Sequence, residues 1–453
     1  MAINFVQDMT EGSEIKHLVK FSMPMLIGNV FQQSYNIINS IIVGKYLGAN
    51  ELAAVGATGS INFLAFSICL GLSIGISIII SQYFGAKNYV AVKNAIANSI
   101  YVIAASGLVM SILTSALAQP ILKAMNTPPE ILEESVRFLR ISAGGMLAVA
   151  TYNAISGILR ALGDSTTPLF FLIVSSGVNI GLDLLFILKF DFGVAGAASA
   201  TVISQGIAAL GCIVFALKNN DYFKLTKEHM KISWPIIVKC VKIGIPVALQ
   251  NSMIAVSLIA LQRVANSFGE VAVAAFTATS RIEQLIQQPF NSLGAAIATF
   301  SGQNMGANKI DRVKRGYYKS ILAIGIFSAL ALVAAQLGGH AIMKMFVNEQ
   351  PVIELGARAI KITSLMYFAL GMIYITRGLL NGTGDAFYSM INGIVEVVGR
   401  VGFSTGLALI PAIGVWSIWT TTGLTWVITA AASVIRYKQG KWEKKSLVKA
   451  VSE

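Results

Sequence analysis

Twelve times along this chain an apolar run of about 20 residues recurs, the length an α-helix needs to cross a lipid bilayer. The runs fall at 21–43, 53–82, 95–118, 136–157, 168–188 and 194–217, then at 236–262, 272–299, 317–338, 359–380, 387–409 and 413–435. In hydrocarbon each backbone N–H and C=O must be satisfied inside its own segment, so each run is expected to be helical. Only 12% of the residues are charged, against roughly 25% in a soluble domain; the mean hydropathy is +0.70. The expected fold class is an all-α polytopic membrane protein with twelve transmembrane helices.

A net charge of +13 would suit nucleic acid on a soluble domain, but here the basic residues follow topology. Lys218, Lys224, Lys227, Lys231, Lys239 and Lys242 lie in or beside the longest connector. Lys309, Arg312, Lys314, Arg315 and Lys319 follow the eighth run, and further bases lie in the tail from Arg436 to Lys449. Lysine and arginine concentrate in cytoplasmic loops. Both termini are therefore expected in the cytoplasm, with no nucleic-acid partner. Cys69, Cys212 and Cys240 lack a CxxC spacing, and His17, His229 and His340 form no ligand cluster, so no metal chemistry is expected. The chain has no GxxxxGK[ST] or HExxH motif, and no histidine lies within an expected span. Neither an on-board ATPase nor an enzyme is expected.

The two halves repeat at an offset of 221. Gln82, Gly85 and Ala86 return as Gln303, Gly306 and Ala307; Gly157, Leu159, Gly163 and Asp164 return as Gly378, Leu380, Gly384 and Asp385. Pro24 matches Pro246 after a one-residue slip. Internal repeats mark transporters. An even number of spans per half relates the two by an axis along the membrane normal, as two six-helix bundles. The expected division is a first lobe at 1–217, a connector at 218–235, a second lobe at 236–436 and a basic tail at 437–453.

Acids inside a span suggest function by default. Asp183 lies among Leu, Ile and Phe, with Asn179 one turn earlier on the same face. Counting from helix ends places Asn39, Asn153, Asn179, Asp183 and Thr201 in one layer of the first bundle. Their carboxylate, amide and hydroxyl oxygens could take a proton or a small cation. Their repeat mates include Tyr374 for Asn153, Arg400 for Asn179, Ser404 for Asp183 and Thr422 for Thr201, so the second bundle has no acid in this layer. It has Glu396 and Arg400 four apart in the favourable order for a helical ion pair, either structural or substrate-binding. Glu283 shares a face with Gln287 just before Pro289, which frees a carbonyl one turn earlier and suits a bent, cavity-lining helix. Arg160, Arg377, Asp164 and Asp385 are expected at inner loops in structural roles. Gly71 to Gly75 reads as close helix packing.

The chain resembles the multidrug and toxic compound extrusion (MATE) family, in its DinF-like prokaryotic branch. The resemblance rests on Pro24 with YNIINSIIVGKYLG, ISQYFGAKN and its repeat SGQNMGAN, ILRALGDSTTP with LLNGTGD, NIGLDLLFI and GVAGAASATVISQ. It implies a V-shaped pair of six-helix lobes in the plasma membrane, acting as a monomer without a cofactor. It also implies export of drug-like compounds driven by protons or sodium ions. Asp183, Asn179, Thr201 and Asn153 match the family's first-lobe polar site, with Na+ at Asp183 as the one metal in view. Asn39 stands where many relatives carry an aspartate, and Gln250 is the nearest polar residue to an acid that another branch uses on helix seven. Glu283, Glu396, Gln287, Arg400 and Gln250 are the expected substrate-cavity residues, with Pro24, Pro246 and Pro289 as bending points. For substrate, amphipathic organic cations are expected. The alternative, a lipid-linked sugar flippase of the same superfamily, would need a strongly cationic cavity, toward which Arg400 and Arg281 alone could contribute.

Overall fold

The computed structural model describes residues 6–448, and the end of the basic tail, 449–453, lies outside them. All regular structure among the described residues is helical. In chain order the helices are α1 (Glu14–Tyr46), α2 (Ala49–Gly85), α3 (Tyr89–Ala124), α4 (Pro129–Gly144), α5 (Met146–Ala161), α6 (Thr166–Leu184) and α7 (Gly193–Asn219). The second series is α8 (Trp234–Asn266), α9 (Glu270–Gly306), α10 (Ile310–Lys344), α11 (Gln350–Ser364), α12 (Tyr367–Gly382), α13 (Ala386–Ala408) and α14 (Ser417–Lys438).

To within a residue at either end, each expected span falls within a helix or an adjacent helix pair. Two expected spans are broken: α4 and α5 meet at 45°, α11 and α12 at 53°. By length and apolarity alone seven helices among the described residues qualify as membrane spans, or nine with each bent pair counted as one. The remaining three, α1, α9 and α13, carry polar residues along their spans: Asn29, Gln32, Gln33, Asn36 and Asn39 on α1, Glu283 with Gln284, Gln287, Gln288 and Asn291 on α9, and Asn392, Glu396 and Arg400 on α13. Elsewhere the outward faces are apolar. On α10 Leu322, Ile326, Leu330, Val333 and Leu337 are all exposed at helical spacing, a stripe that suits lipid and not water.

The repeat is written into the backbone. Positive φ angles recur at the 221 offset: Gly48 and Gly269 at 115° and 86°, Lys87 and Asn308 at 56° and 57°, Gly163 and Gly384 at 90° and 93°, Gly193 and Gly414 at 57° and 53°. These are the turns where a left-handed residue ends or links helices. At Gly163 the demand is doubled, since a Cβ there would also run into the backbone of Gln7.

The chain packs as two compact units, one holding the described residues up to 8 together with 23–248, the other 9–22 and the residues from 249 onward. In the first, α2 packs along α3, α4 and α5, and α6 along α7. Gly71 and Gly75 let α2 approach α8 closely, because a Cβ on Gly71 would lie 2.5 Å from the Gly244 carbonyl oxygen. In the second, α9 packs against α12 and α13 against α14. Trp419 is buried there, its indole N–H donating to Thr279 Oγ1 at 3.0 Å. Pro24, Pro246 and Pro289 lie inside α1, α8 and α9, each of which continues past its proline.

Candidate functional site

In the first unit Asn179 and Asp183 project from α6 and are each 1% exposed. Asn179 Nδ2 donates to Thr201 Oγ1 at 3.4 Å and Ser204 Oγ at 3.3 Å on α7. Thr201 in turn donates to the Ala197 carbonyl of its own helix. Tyr35 on α1 reaches Thr201 and Asn39 and lies within the field of Asp183. Both oxygens of Asp183, the side-chain oxygens of Asn179 and Asn39, and that of Gln205 are buried with no hydrogen-bond partner. The layer is thus rich in acceptors and short of donors. An ionised carboxylate so placed is costly; a proton or a small cation removes the cost. Oxygen donors from one acid, two amides and hydroxyls form a set that hard cations accept.

Of the residues expected at this layer, Asn39, Asn179, Asp183 and Thr201 come together. Asn153 Nδ2 instead donates to the Val149 carbonyl of its own helix. Two members were missed. Tyr35 precedes Asn39 by four residues, so its shared face was readable; Ser204 follows Thr201 by three. A π-helical turn, Leu185–Lys189, begins two residues after Asp183, an irregularity that often accompanies function. No local sequence signal announces it.

The second unit encloses a cavity of about 100 Å3, walled among others by Glu283, Gln287, Tyr374, Arg377, Glu396 and Arg400, with Phe276 and Trp426 beside them. Glu396 Oε1 accepts from Arg400 Nη2 at 3.1 Å, and Oε2 from Arg377 Nη2 at 3.2 Å. Arg400 also donates to Ser257, and Arg377 to Asn392 Oδ1 at 2.9 Å. Asn392 is itself fixed by the Thr429 carbonyl and Ser433. With its amide oxygen turned inward, Gln250 accepts from Arg377 Nη1 and Nε at 2.9 Å each. One carboxylate therefore braces two guanidiniums across α8, α12 and α13. Glu283 has one oxygen buried without a partner, Thr363 within reach and Arg400 in its field. Tyr374 donates to Gln287 Oε1 at 3.0 Å.

Two placements differ from the sequence reading. Arg377 is not at a loop: α12 continues to Gly382, so its side chain is 11% exposed and on the cavity wall. Gln250 is not on that wall but buried behind Arg377. Asp385, also expected at an inner loop, is paired with Arg436 at 2.7 Å. Among the described residues no group of three or more His, Cys, Asp or Glu could hold a metal.

The family model MatE matches the chain twice, over residues 24–185 and 246–405. The "Probable multidrug resistance protein YpnP" of Bacillus subtilis (strain 168) is 30% identical over 445 residues, 97% of this chain and 98% of that protein. The "Multidrug export protein MepA" of Staphylococcus aureus (strain MSSA476) is 26% identical over 424 residues, 92% of this chain and 91% of that one. Among solved structures, one titled "Outward-facing conformation of a multidrug resistance MATE family transporter of the MOP superfamily" superposes with a TM-score of 0.91 at 24% identity. It covers 98% of this chain and 100% of its own. At that identity the likeness speaks for the fold.

Proposed function

Because the chain belongs to the MatE family of membrane transporters, we propose that it is a secondary active multidrug exporter working by alternating access. Protons or sodium ions enter from outside and drive amphipathic organic compounds, mostly cations, outward. Both termini face the cytoplasm and the protein works in the plasma membrane as a monomer. The observation that carries this reading is Asp183, buried beside Asn179, Thr201, Tyr35 and Asn39 with no donor to either carboxylate oxygen. Occupation of that acid by a proton or cation relieves an uncompensated charge, and so favours whichever arrangement of α1, α6 and α7 holds the occupant best. Drug favours the other arrangement, and the two occupants exchange.

Drug meets the second unit's cavity. Both Glu396 oxygens are engaged by guanidiniums, which leaves Glu283 as the acid available to a cationic headgroup. The same ion pairing counts against a lipid pyrophosphate, since Arg377 and Arg400 already share a counterion. The test is Asp183→Asn in proteoliposomes, with dye efflux followed under a pH gradient or a sodium gradient alone. Wild-type protein should respond to one gradient and the variant to neither; undiminished gradient-driven efflux in the variant would remove Asp183 from coupling.

A further inference from the structure

Helix α1 changes units along its length. Its residues up to Ser22 pack with the second unit and those from Met23 with the first, so the change falls one residue before Pro24. Helix α8 makes the converse change between Ala248 and Leu249, two residues after Pro246. Residues 9–13, just ahead of α1, are not a loose end, as terminal segments commonly are. The Met9 N–H donates to Gln303 Oε1 at 2.8 Å, and Asn304 Nδ2 to the Met9 carbonyl at 3.2 Å. Lys309 Nζ donates to the Thr10 carbonyl at 3.0 Å. Arg312 engages all three of its nitrogens, on the carbonyls of Met9, Glu11 and Gly12 and on Glu14 Oε1 at 3.2 Å. The Glu14 carboxylate also accepts from Arg315 at 3.0 Å and Lys319 at 2.7 Å. Met9 and Leu18 are fully buried.

Exposed ion pairs contribute little, but the Glu14 and Arg312 side chains are only 8% and 9% exposed. A planar guanidinium that satisfies three carbonyls of one four-residue stretch fixes the path of the backbone as well as its charge. Gln303 and Asn304 close α9, and Lys309 to Lys319 open α10, so the socket belongs to rigid helices of the second unit. Far along α1, beyond the proline, Tyr35 and Asn39 enter the acidic layer of the first unit.

We propose that residues 9–14 are a permanent anchor by which the second unit holds the start of α1, with Arg312 and Glu14 as positioning residues for transport. A helix fastened at one end, with site residues near the other, makes any change at that layer act against a fixed point. Loosening the anchor lets the two changes occur separately: ions then pass without drug. This rests on the exporter reading above.

The experiment compares drug-dependent ion flux with drug-independent ion leak in proteoliposomes. Arg312→Gln and Glu14→Gln should each lower the ratio about tenfold, the scale of one charge-assisted hydrogen bond, while the protein stays monodisperse. Glu11 and Lys309 approach to 3.9 Å at the surface, and the native cysteines are buried. A short bis-maleimide linker between Glu11→Cys and Lys309→Cys therefore ties the segment down. Linked protein should transport as the unlinked pair does, and the linker should restore coupling to Arg312→Gln, a rescue that a purely structural role would not give. Transport abolished by the linker, or Arg312→Gln and Glu14→Gln coupled like wild type, would overturn the anchor. Should Arg312→Gln not fold, Glu14→Gln and the linker decide between these outcomes. Wild-type protein that moves no drug would instead sink the exporter reading.

Discussion

Gly157 on α5 and Gly378 on α12 are repeat mates, yet alanine should act on them with opposite sign. Both sit in helix interiors, where alanine is favoured over glycine by roughly 0.5–1 kcal/mol. At Gly157 a Cβ would lie 3.4 Å from the Ser73 carbonyl oxygen and 3.6 Å from Ser77 Cβ, ordinary contact. At Gly378 it would collide with the Gly294 carbonyl oxygen and stand 2.8 Å from Ile297 Cγ2. A backbone carbonyl cannot change rotamer, so α9 and α12 must part, at a cost near the upper end of about 1–3 kcal/mol for overpacking. The net effect is a gain of up to about 1 kcal/mol for Gly157→Ala and a loss of about 2 kcal/mol for Gly378→Ala. For a unit of this size that is a rise of about 1–3 °C against a fall of about 4–8 °C in Tm. Size-exclusion fluorescence after stepwise heating in detergent gives the ranking. Dye efflux adds a second readout, because parting α12 from α9 also opens the Tyr374–Gln287 hydrogen bond of 3.0 Å. If Gly157→Ala loses as much stability as Gly378→Ala, the argument from close approach is wrong.

Glu396→Ala strands Arg377 and Arg400 without their shared counterion and should cost about 3–5 kcal/mol, the range for breaking a buried pair, visible as a steep loss of monodisperse protein. Glu283→Gln breaks no ion pair; it should leave Tm within a few degrees while lowering efflux of cationic dyes, and uncharged substrates should be spared. Glu14 carries a pH prediction: burial alone would raise its pKa, but hydrogen bonds from Lys319 and Arg315 and the charge of Arg312 hold it from the usual 4.5 down to about 2. A depressed folded-state pKa gives stability that is present above the unfolded value and lost as pH falls through the folded one. The Tm difference between wild type and Glu14→Gln should therefore be constant from pH 8 to 5 and shrink only as the pH falls toward 2.

The helices were legible because span length and apolarity are local properties of the chain, and the 221 offset survived in turn residues such as Gly163 and Gly384 whose backbone needs no partner to be recognised. The breaks were not legible. At Gly145 the α4–α5 bend coincides with a glycine that Val202 of α7 would not allow to carry a Cβ, a tertiary constraint invisible in the local pattern. Counting depth along an unbroken helix then failed at Arg377, which belongs on a cavity wall. Asn179, Asp183 and Thr201 could be grouped because two adjacent antiparallel spans give depth from both ends. Gln250 could not be placed, since its environment is another residue's guanidinium and not a membrane depth.

The repeat also locates where the two units part chemically. Backbone angles match at Lys87 and Asn308 to within 1°, so the scaffold has hardly diverged at these turns. Yet the positions of Asn179 and Asp183 in the first unit are filled by Arg400 and Ser404 in the second. An arginine placed in that layer needs an acid, and Glu396 sits one turn away and accepts from it; Arg377 then shares the same carboxylate. The second unit thus has its acid already paired, where the first keeps a lone one. Two acidic layers would let an ion bind in either unit, so that occupancy of one would not determine the state of the other. On the proposed exporter reading, Asp183 is then the side chain whose protonation or cation binding changes the charge of its layer, and Glu283 in the second unit is the acid left for the cargo. Restoring an acid at the second position with Ser404→Asp should therefore weaken the dependence of drug efflux on the gradient even with Asp183 intact. Gradient-driven efflux at the wild-type level in that variant, measured in the same vesicles, would show that the asymmetry of the two units does not matter.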